Sequence, residues 1–174
     1  MEMKLYLVRH GATDMSDAAR FNGHRDVPLN DAGLRQARVL AHTLEGRSFA
    51  GVWSSDLTRA LHTAHACGFA PVVDPRLREI DFGDIEGATW EELDSEVRDA
   101  LMGFDGFAAP GGESVDDLRR RVLSFVADLA EGDHLVFTHG GVIRSLLRDA
   151  GDDRDVRPGQ IVELEPSVAS RRDT

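Results

Sequence analysis

The sequence holds one cysteine in 174 residues, Cys67, so no internal disulfide can form and the chain suits a reducing compartment. Lysine is almost missing: Lys4 is the only one among the 20 basic residues, and no Gly-Lys pair exists, which excludes a Walker-type phosphate loop. No stretch approaches the apolar length of a membrane span, and the amino terminus lacks the pattern of a signal peptide, so the expected location is the cytoplasm. Positive charge is scarce as well. The formal charge is −11, and the longest basic run is Arg119-Arg120-Arg121, which argues against nucleic acid or an anionic membrane as partner. Internal repeats, linkers and low-complexity segments are absent. What remains is ordinary globular composition, 41% hydrophobic and 29% charged, at a length that suits one well-buried core. The expectation is a single domain over residues 1–166, followed by a loose tail at 167–174.

The organising stretch is Leu5-Tyr6-Leu7-Val8-Arg9-His10-Gly11, an apolar run that ends abruptly in a cation, an imidazole and a glycine. Such a run suits a strand covered on both faces by helices, and ligands in open α/β sheets gather where these strands end. Gly11 allows close backbone approach to a ligand. His134-Leu135-Val136-Phe137-Thr138 repeats the pattern and leads into His139-Gly140-Gly141 and a helix over 142–149. Gly51 to Ser54 and Pro71 to Val73 read as further strands, Leu77-Arg78-Glu79-Ile80 as a short extended segment carrying Glu79, and Gln160 to Leu164 as an edge strand. Helices are expected after Asn30, after Ser55-Asp56 with Arg59 in the first turn, from the capping-box pattern Thr89-Trp90-Glu91-Glu92, and from Ser114. The polar residues from Ala12 to Pro28 read as a loop forming one wall of a site.

Two strand-end histidines, Arg9, a helix-start arginine at Arg59 and Glu79 make a set suited to a phosphoryl group. Guanidiniums bind phosphate oxygens in bidentate fashion, and glycine-bounded helix starts add backbone donors. A neutral imidazole can attack phosphorus, splitting one displacement into two through a phosphohistidine, while a carboxylic acid at Glu79 protonates the departing oxygen and later takes a proton from water.

Five segments in order, Leu7-Val8-Arg9-His10-Gly11, Ser54 to Ala60, Leu77 to Gly83, Pro110-Gly111-Gly112-Glu113-Ser114 and Thr138-His139-Gly140-Gly141, resemble the histidine phosphatase superfamily, the phosphoglycerate mutase-like group. The resemblance implies an α/β fold, a three-layer α/β/α sandwich around a mostly parallel sheet, and a mechanism without metal or other cofactor. It implies His10 as the phosphorylated nucleophile, Arg9, Arg59 and His139 as holders of the phosphoryl group, and Glu79 as the acid. Many relatives carry Glu and Asn where Ala12 and Ser16 stand here, so Ser16 or Asn22, with Gly23 and Gly140, is the expected remainder of the substrate-binding set. Within the group, the short chain and Gly140-Gly141 look more like phosphatases than phosphoglycerate mutases, and the region Leu77 to Ser114, with the chain's size, is most similar to small α-ribazole phosphatases of cobalamin synthesis. The expected partner is therefore a small-molecule phosphate monoester, and a homodimer is one assembly the sequence allows.

Other readings compete. A cofactor-dependent phosphoglycerate mutase needs extra cations for a second acidic group, whereas the segment 81–112 has one arginine, Arg98, among many acidic residues including Asp84 and Glu86. A non-catalytic phosphate-ester binding module would not need both His10 and Glu79. His24-Arg25-Asp26 and Asp81-Phe82-Gly83 spell two kinase signatures, but the spacing to Asn30 is wrong and no G-x-G-x-x-G exists. Metal binding through His10, His24 and His139, or through His62 and His65, lacks the carboxylates or thiolates such a site wants. Trp90 is assigned to the core, and Phe82, Phe104 and Phe107 either to the core or to a leaving-group pocket.

Overall fold

The computed structural model describes residues 3–166, so the tail expected at 167–174 lies outside the described residues. The elements run β1 (Met3–Arg9), α1 (Asp14–Asp17), α2 (Asp31–Leu44), β2 (Gly51–Ser54), α3 (Thr58–Ala66), β3 (Val72–Val73), α4 (Ser95–Gly103), α5 (Val115–Ala127), β4 (Gly132–Thr138), α6 (Gly140–Asp149) and β5 (Ile161–Leu164). The strands form one sheet in the order β3-β2-β4-β1-β5, parallel except for β5, which runs antiparallel along β1. Among the described residues no helix is long and apolar enough to cross a membrane.

Side chains alternate across a strand, so the apolar run of β1 feeds two cores. Leu5 and Leu7 join Leu118, Val122 and Val126 of α5 and Val142, Ile143 and Leu146 of α6. Tyr6 and Val8 join Ala37, Leu40 and Leu44 of α2 and Ala64 of α3 on the opposite face. The result is the three-layer α/β/α arrangement. The chain leaves β1 for helices on one face and β4 for a helix on the other, so the ends of these two neighbouring strands part around a crevice, the place where open parallel sheets bind ligands. Register sharpens this: Arg9 lies opposite Thr138 and Ser54 opposite Phe137, so His10 and His139 follow at one level and Ser55 one residue below it, beside Thr138. His10 N donates to Thr138 O and Ser55 N to Phe137 O, both at 3.0 Å.

Several local expectations change. Glu79 is not on a strand: after a single 3-10 turn at Pro75–Leu77 the chain stays irregular, because no strand is available there to pair with it. Thr89 starts no helix. It forms an isolated bridge to Arg20 and donates its N–H to Glu92 Oε2 at 2.8 Å, and α4 begins only after Asp94. Trp90 is 37% exposed rather than part of the core. The wall at 12–28 contains the short α1, held by a capping box between Thr13 and Ser16. Asn30 and Ser114 cap α2 and α5 as expected, their side-chain oxygens accepting from Gly33 N and Asp117 N. α3 has no side-chain cap on Leu57; Ser55 Oγ accepts from Leu57 N, and Asp56 pairs with Arg78 instead. The close approach that Gly11 allows is to α2, since a Cβ there would lie 2.6 Å from the carbonyl of Gly33.

Candidate active site

The crevice opens into a cavity of about 400 Å³ lined on its polar side by Arg9, His10, Ser16, Asn22, Glu79 and Gly140, within the size range of small-molecule sites. Arg59, His139 and Gly23 stand behind these. His10 Nδ1 lies 2.7 Å from Gly11 O, so the ring proton sits on Nδ1 and Nε2 presents a lone pair. Arg59 Nε–H donates to that Nε2 at 3.3 Å. Burial first, and then the Arg59 charge, push the His10 pKa down to about 3, so the imidazole is neutral in ordinary buffers.

Arg59 projects from the start of α3 but is fully buried, and its guanidinium is fixed by carbonyls: those of Arg25 at 2.9 Å, Gly23 at 2.7 Å and Asn22 at 3.3 Å. The polar loop thus wraps this side chain. The helix start itself is closed to a ligand, because the Asp26 carboxylate accepts from Thr58 N and Thr58 Oγ1, each at 2.8 Å. Gly23 N–H is taken as well, donated to both oxygens of Glu86 at 2.9 and 3.0 Å. Ser16 Oγ is engaged with Thr13, accepting from its N–H at 2.9 Å and donating to its carbonyl at 3.0 Å. Asn22, with its amide turned to donate, reaches Arg25 O at 2.9 Å and Glu86 Oε1 at 3.3 Å. Of the four residues expected to complete the set, Ser16, Asn22 and Gly140 line the cavity and Gly23 does not; a Cβ on Gly140 would lie 3.2 Å from the Arg9 guanidinium carbon.

His139 is fully buried with its ring 5.2 Å from that of His10, and its Nε2 lies 2.8 Å from Ser55 Oγ. Ser55 Oγ accepts from Leu57 N and keeps its own proton free to donate to Nε2; in that arrangement the His139 ring proton is on Nδ1. That Nδ1 has no partner, nor has the buried Nε of Arg9, whose NH1 donates to Val156 O at 2.7 Å. Burial and the neighbouring Arg59 hold the His139 pKa well below the usual range. Two buried nitrogens without a partner, near an imidazole nitrogen held only by the Arg59 Nε–H, suit a cradle for an anion.

Glu79 closes the other side. Its Oε1 accepts from Ile80 N at 2.9 Å and its Oε2 from Gly141 N, in the first turn of α6, at 3.0 Å. Glycine at 141 lets the carboxylate sit this close, since a Cβ would lie 2.3 Å from Oε1 and displace it. The lining also includes an apolar set, Phe21, Phe82, Leu101, Phe104, Phe107 and Val156, together with the charged Arg20, Arg144 and Asp155. Phe82, Phe104 and Phe107 therefore serve both the cavity and the core behind it. Sequence reasoning missed Ser55 as the partner of His139 and the two residues that fix the Glu79 backbone, Arg121 and His24. The signal for Ser55 was its position directly after a strand parallel to β4.

Comparison with known proteins agrees with this geometry. Residues 5–165 match the family model described as histidine phosphatase superfamily (branch 1). The chain is 36% identical over 157 residues to "Probable phosphoglycerate mutase GpmB" of Yersinia pestis, covering 83% of this chain and 73% of that one. The crystal structure of TTHB049 from Thermus thermophilus superposes with a TM-score of 0.88 at 45% identity, over 94% of each chain. A structure from Escherichia coli, described as "a putative alpha-ribazole-5'-P phosphatase", gives 0.81 at 29% identity, over 94% of this chain and 90% of that one. With the motifs in order, the sheet topology matched and the two histidines meeting at the strand ends, the chain belongs to the histidine phosphatase superfamily.

Proposed function

We propose that this chain hydrolyses phosphate monoesters through a phosphohistidine on His10, without a metal. The carrying observation is that two buried nitrogens of the site, Arg9 Nε and His139 Nδ1, have no protein partner, while His10, whose ring centre lies 5.2 Å from that of His139, keeps its proton on Nδ1. The phosphoryl group occupies the space between them. His10 Nε2 forms the N–P bond while the ester P–O bond breaks, and Arg59 Nε–H passes from the imidazole to a phosphoryl oxygen. Each Glu79 oxygen accepts one N–H and keeps a second lone pair, so a protonated carboxyl can still hold those bonds while giving its proton to the leaving oxygen. In the second half-reaction the carboxylate takes a proton from water, whose oxygen attacks phosphorus and returns His10 to its starting form. Guanidiniums at the mouth and behind the imidazole disfavour a cation in the same place, which is the reason for reading the site as metal-free.

The leaving group is read as bulky and largely apolar, of the α-ribazole 5'-phosphate or nucleoside monophosphate type. The cavity lining includes Phe21 and Phe82, whose ring centres lie 5.1 Å apart, with Phe104 and Phe107. The other two lining arginines are already engaged. Arg20 NH1 donates to Gly87 O at 2.6 Å, and Arg144 pairs with Asp153 while its guanidinium lies 4.6 Å from the Phe104 ring centre. Little free positive charge remains for the second acidic group of a phosphoglycerate. The test is phosphate release from α-ribazole 5'-phosphate, nucleoside monophosphates and 3-phosphoglycerate, the last with and without its bisphosphorylated cofactor. Hydrolysis of the bulky esters is expected to dominate. Efficient interconversion of 2- and 3-phosphoglycerate with little phosphate release from α-ribazole 5'-phosphate would establish the mutase reading instead.

A further inference from the structure

The segment bearing Glu79 has no strand beside it, yet it must hold a carboxylate against α6. Its carbonyls answer how. Arg121, on the α5 face turned to this segment, uses all five of its N–H donors. NH1 donates to the carbonyls of Arg76 and Arg78, each at 2.7 Å, and NH2 to that of Glu79 at 2.9 Å. Nε and the remaining NH2 hydrogen go to Glu113, to Oε1 at 2.7 Å and Oε2 at 2.9 Å. The intervening carbonyl, that of Leu77, accepts from Thr138 Oγ1 at 2.8 Å, and the Glu79 carbonyl also takes His24 Nε2 at 2.9 Å. Four consecutive carbonyls are thus held by side chains where a neighbouring strand would ordinarily hold them. Glu113 in turn accepts from Asp81 N through Oε2 at 3.2 Å, so one ion pair spans the backbone on both sides of Glu79.

We propose that the Arg121–Glu113 pair is the positioning device for the proton donor. It touches no substrate and acts through the backbone of Glu79, fixing where the carboxyl emerges beneath Gly141 N. The planar guanidinium is essential, because three carbonyls converge on its two terminal nitrogens while a carboxylate takes its remaining edge. An ammonium offers three donors from one point and cannot reproduce the fork. This inference rests on the reading of Glu79 as the acid.

The distinguishing measurement is leaving-group dependence. kcat/KM reports the steps through transfer to His10, and p-nitrophenolate departs without needing a proton whereas an alkoxide needs one. Values of kcat/KM for p-nitrophenyl phosphate and for an alkyl phosphate are compared in the wild type, Arg121→Lys, Glu113→Gln and Glu79→Gln, with thermal midpoints for all four. Arg121→Lys and Glu113→Gln are expected to lose about tenfold or more on the alkyl ester relative to p-nitrophenyl phosphate, as a misplaced catalytic group does, falling between wild type and Glu79→Gln. Glu113→Gln retains the guanidinium and its carbonyl contacts, so it carries the test if Arg121→Lys does not fold. Selective loss in Glu79→Gln together with equal losses on both esters in the pair variants overturns the positioning role and leaves the acid in place. Equal losses in Glu79→Gln itself remove the acid reading, and the positioning role with it.

Discussion

Placing a single methyl on Gly141 tests the geometry of the acid without altering any titratable group. The Gly141 N–H donates to Glu79 Oε2 at 3.0 Å, and a Cβ added there would lie 2.3 Å from Oε1 and 3.2 Å from the carboxyl carbon. Ordinary carbon–oxygen contact needs about 1 Å more, so the carboxylate must withdraw by about that distance. The backbone does not object, because Gly141 lies within α6 and is not among the glycines with positive φ. Stability changes little on this account. Losing a hydrogen bond to a charged acceptor costs about 1.5–3 kcal/mol. Alanine in a helix returns about 0.5–1 kcal/mol. A net loss of about 0.5–2.5 kcal/mol lowers Tm by roughly 1–10 °C in a chain of this size. Activity changes far more on esters that need protonation: displacement of a catalytic group by about 1 Å costs on the order of 100-fold. Gly141→Ala should therefore show a cooperative melting curve with its midpoint lowered by that amount, a loss on the order of 100-fold in kcat/KM for alkyl phosphates, and a much smaller loss for p-nitrophenyl phosphate. Wild-type activity on alkyl esters, or equal loss on both, would refute the placement of Glu79 as proton donor beneath this amide.

Two further outcomes follow from buried groups. The native His10 pKa is pushed down to about 3 from 6.5, and that of His139 is lowered too, so between these values the unfolded chain binds protons that the native chain refuses. Stability is therefore fully present above about pH 6.5 and falls as pH drops, with a slope of about 1.4 kcal/mol per pH unit from His10; urea midpoints from pH 7 to 5 should fall less steeply in His10→Asn, and an unchanged slope counts against a buried neutral His10. Arg59→Lys removes donors from the carbonyls of Asn22, Gly23 and Arg25 in the interior. It should cost about 3 kcal/mol in denaturant titrations and abolish measurable phosphate binding by calorimetry, and a variant of native stability would contradict the wrapping of the loop around this side chain.

The apolar run of β1 and its repetition in β4 determine much by themselves. Period-two burial on both faces requires helices on both faces, and a cation and imidazole at the strand end have nowhere to go but the crevice. Arg9, His10 and His139 were legible for that reason, as were α2 and α5 from their caps and apolar stripes. Arg59 was legible as a residue but not as a buried one, because the carbonyls that neutralise its desolvation come from a loop more than thirty residues away, Asn22 to Arg25. Tertiary structure also decided against local pattern at Thr89, where a bridge to Arg20 replaced a helix start, and at Gly23, whose N–H is spent on Glu86. Glu79 shows the division most plainly. Glu79 between the apolar Leu77 and Ile80 read as a short extended segment, but hydrogen-bond partners for a strand are supplied by another strand, and sequence does not state whether one is present. Here the partners are Arg121, Thr138 and His24, side chains brought in from α5, the end of β4 and the loop after α1. A pattern of apolar residues records which face is buried. What satisfies the backbone at that face is decided only when distant segments meet.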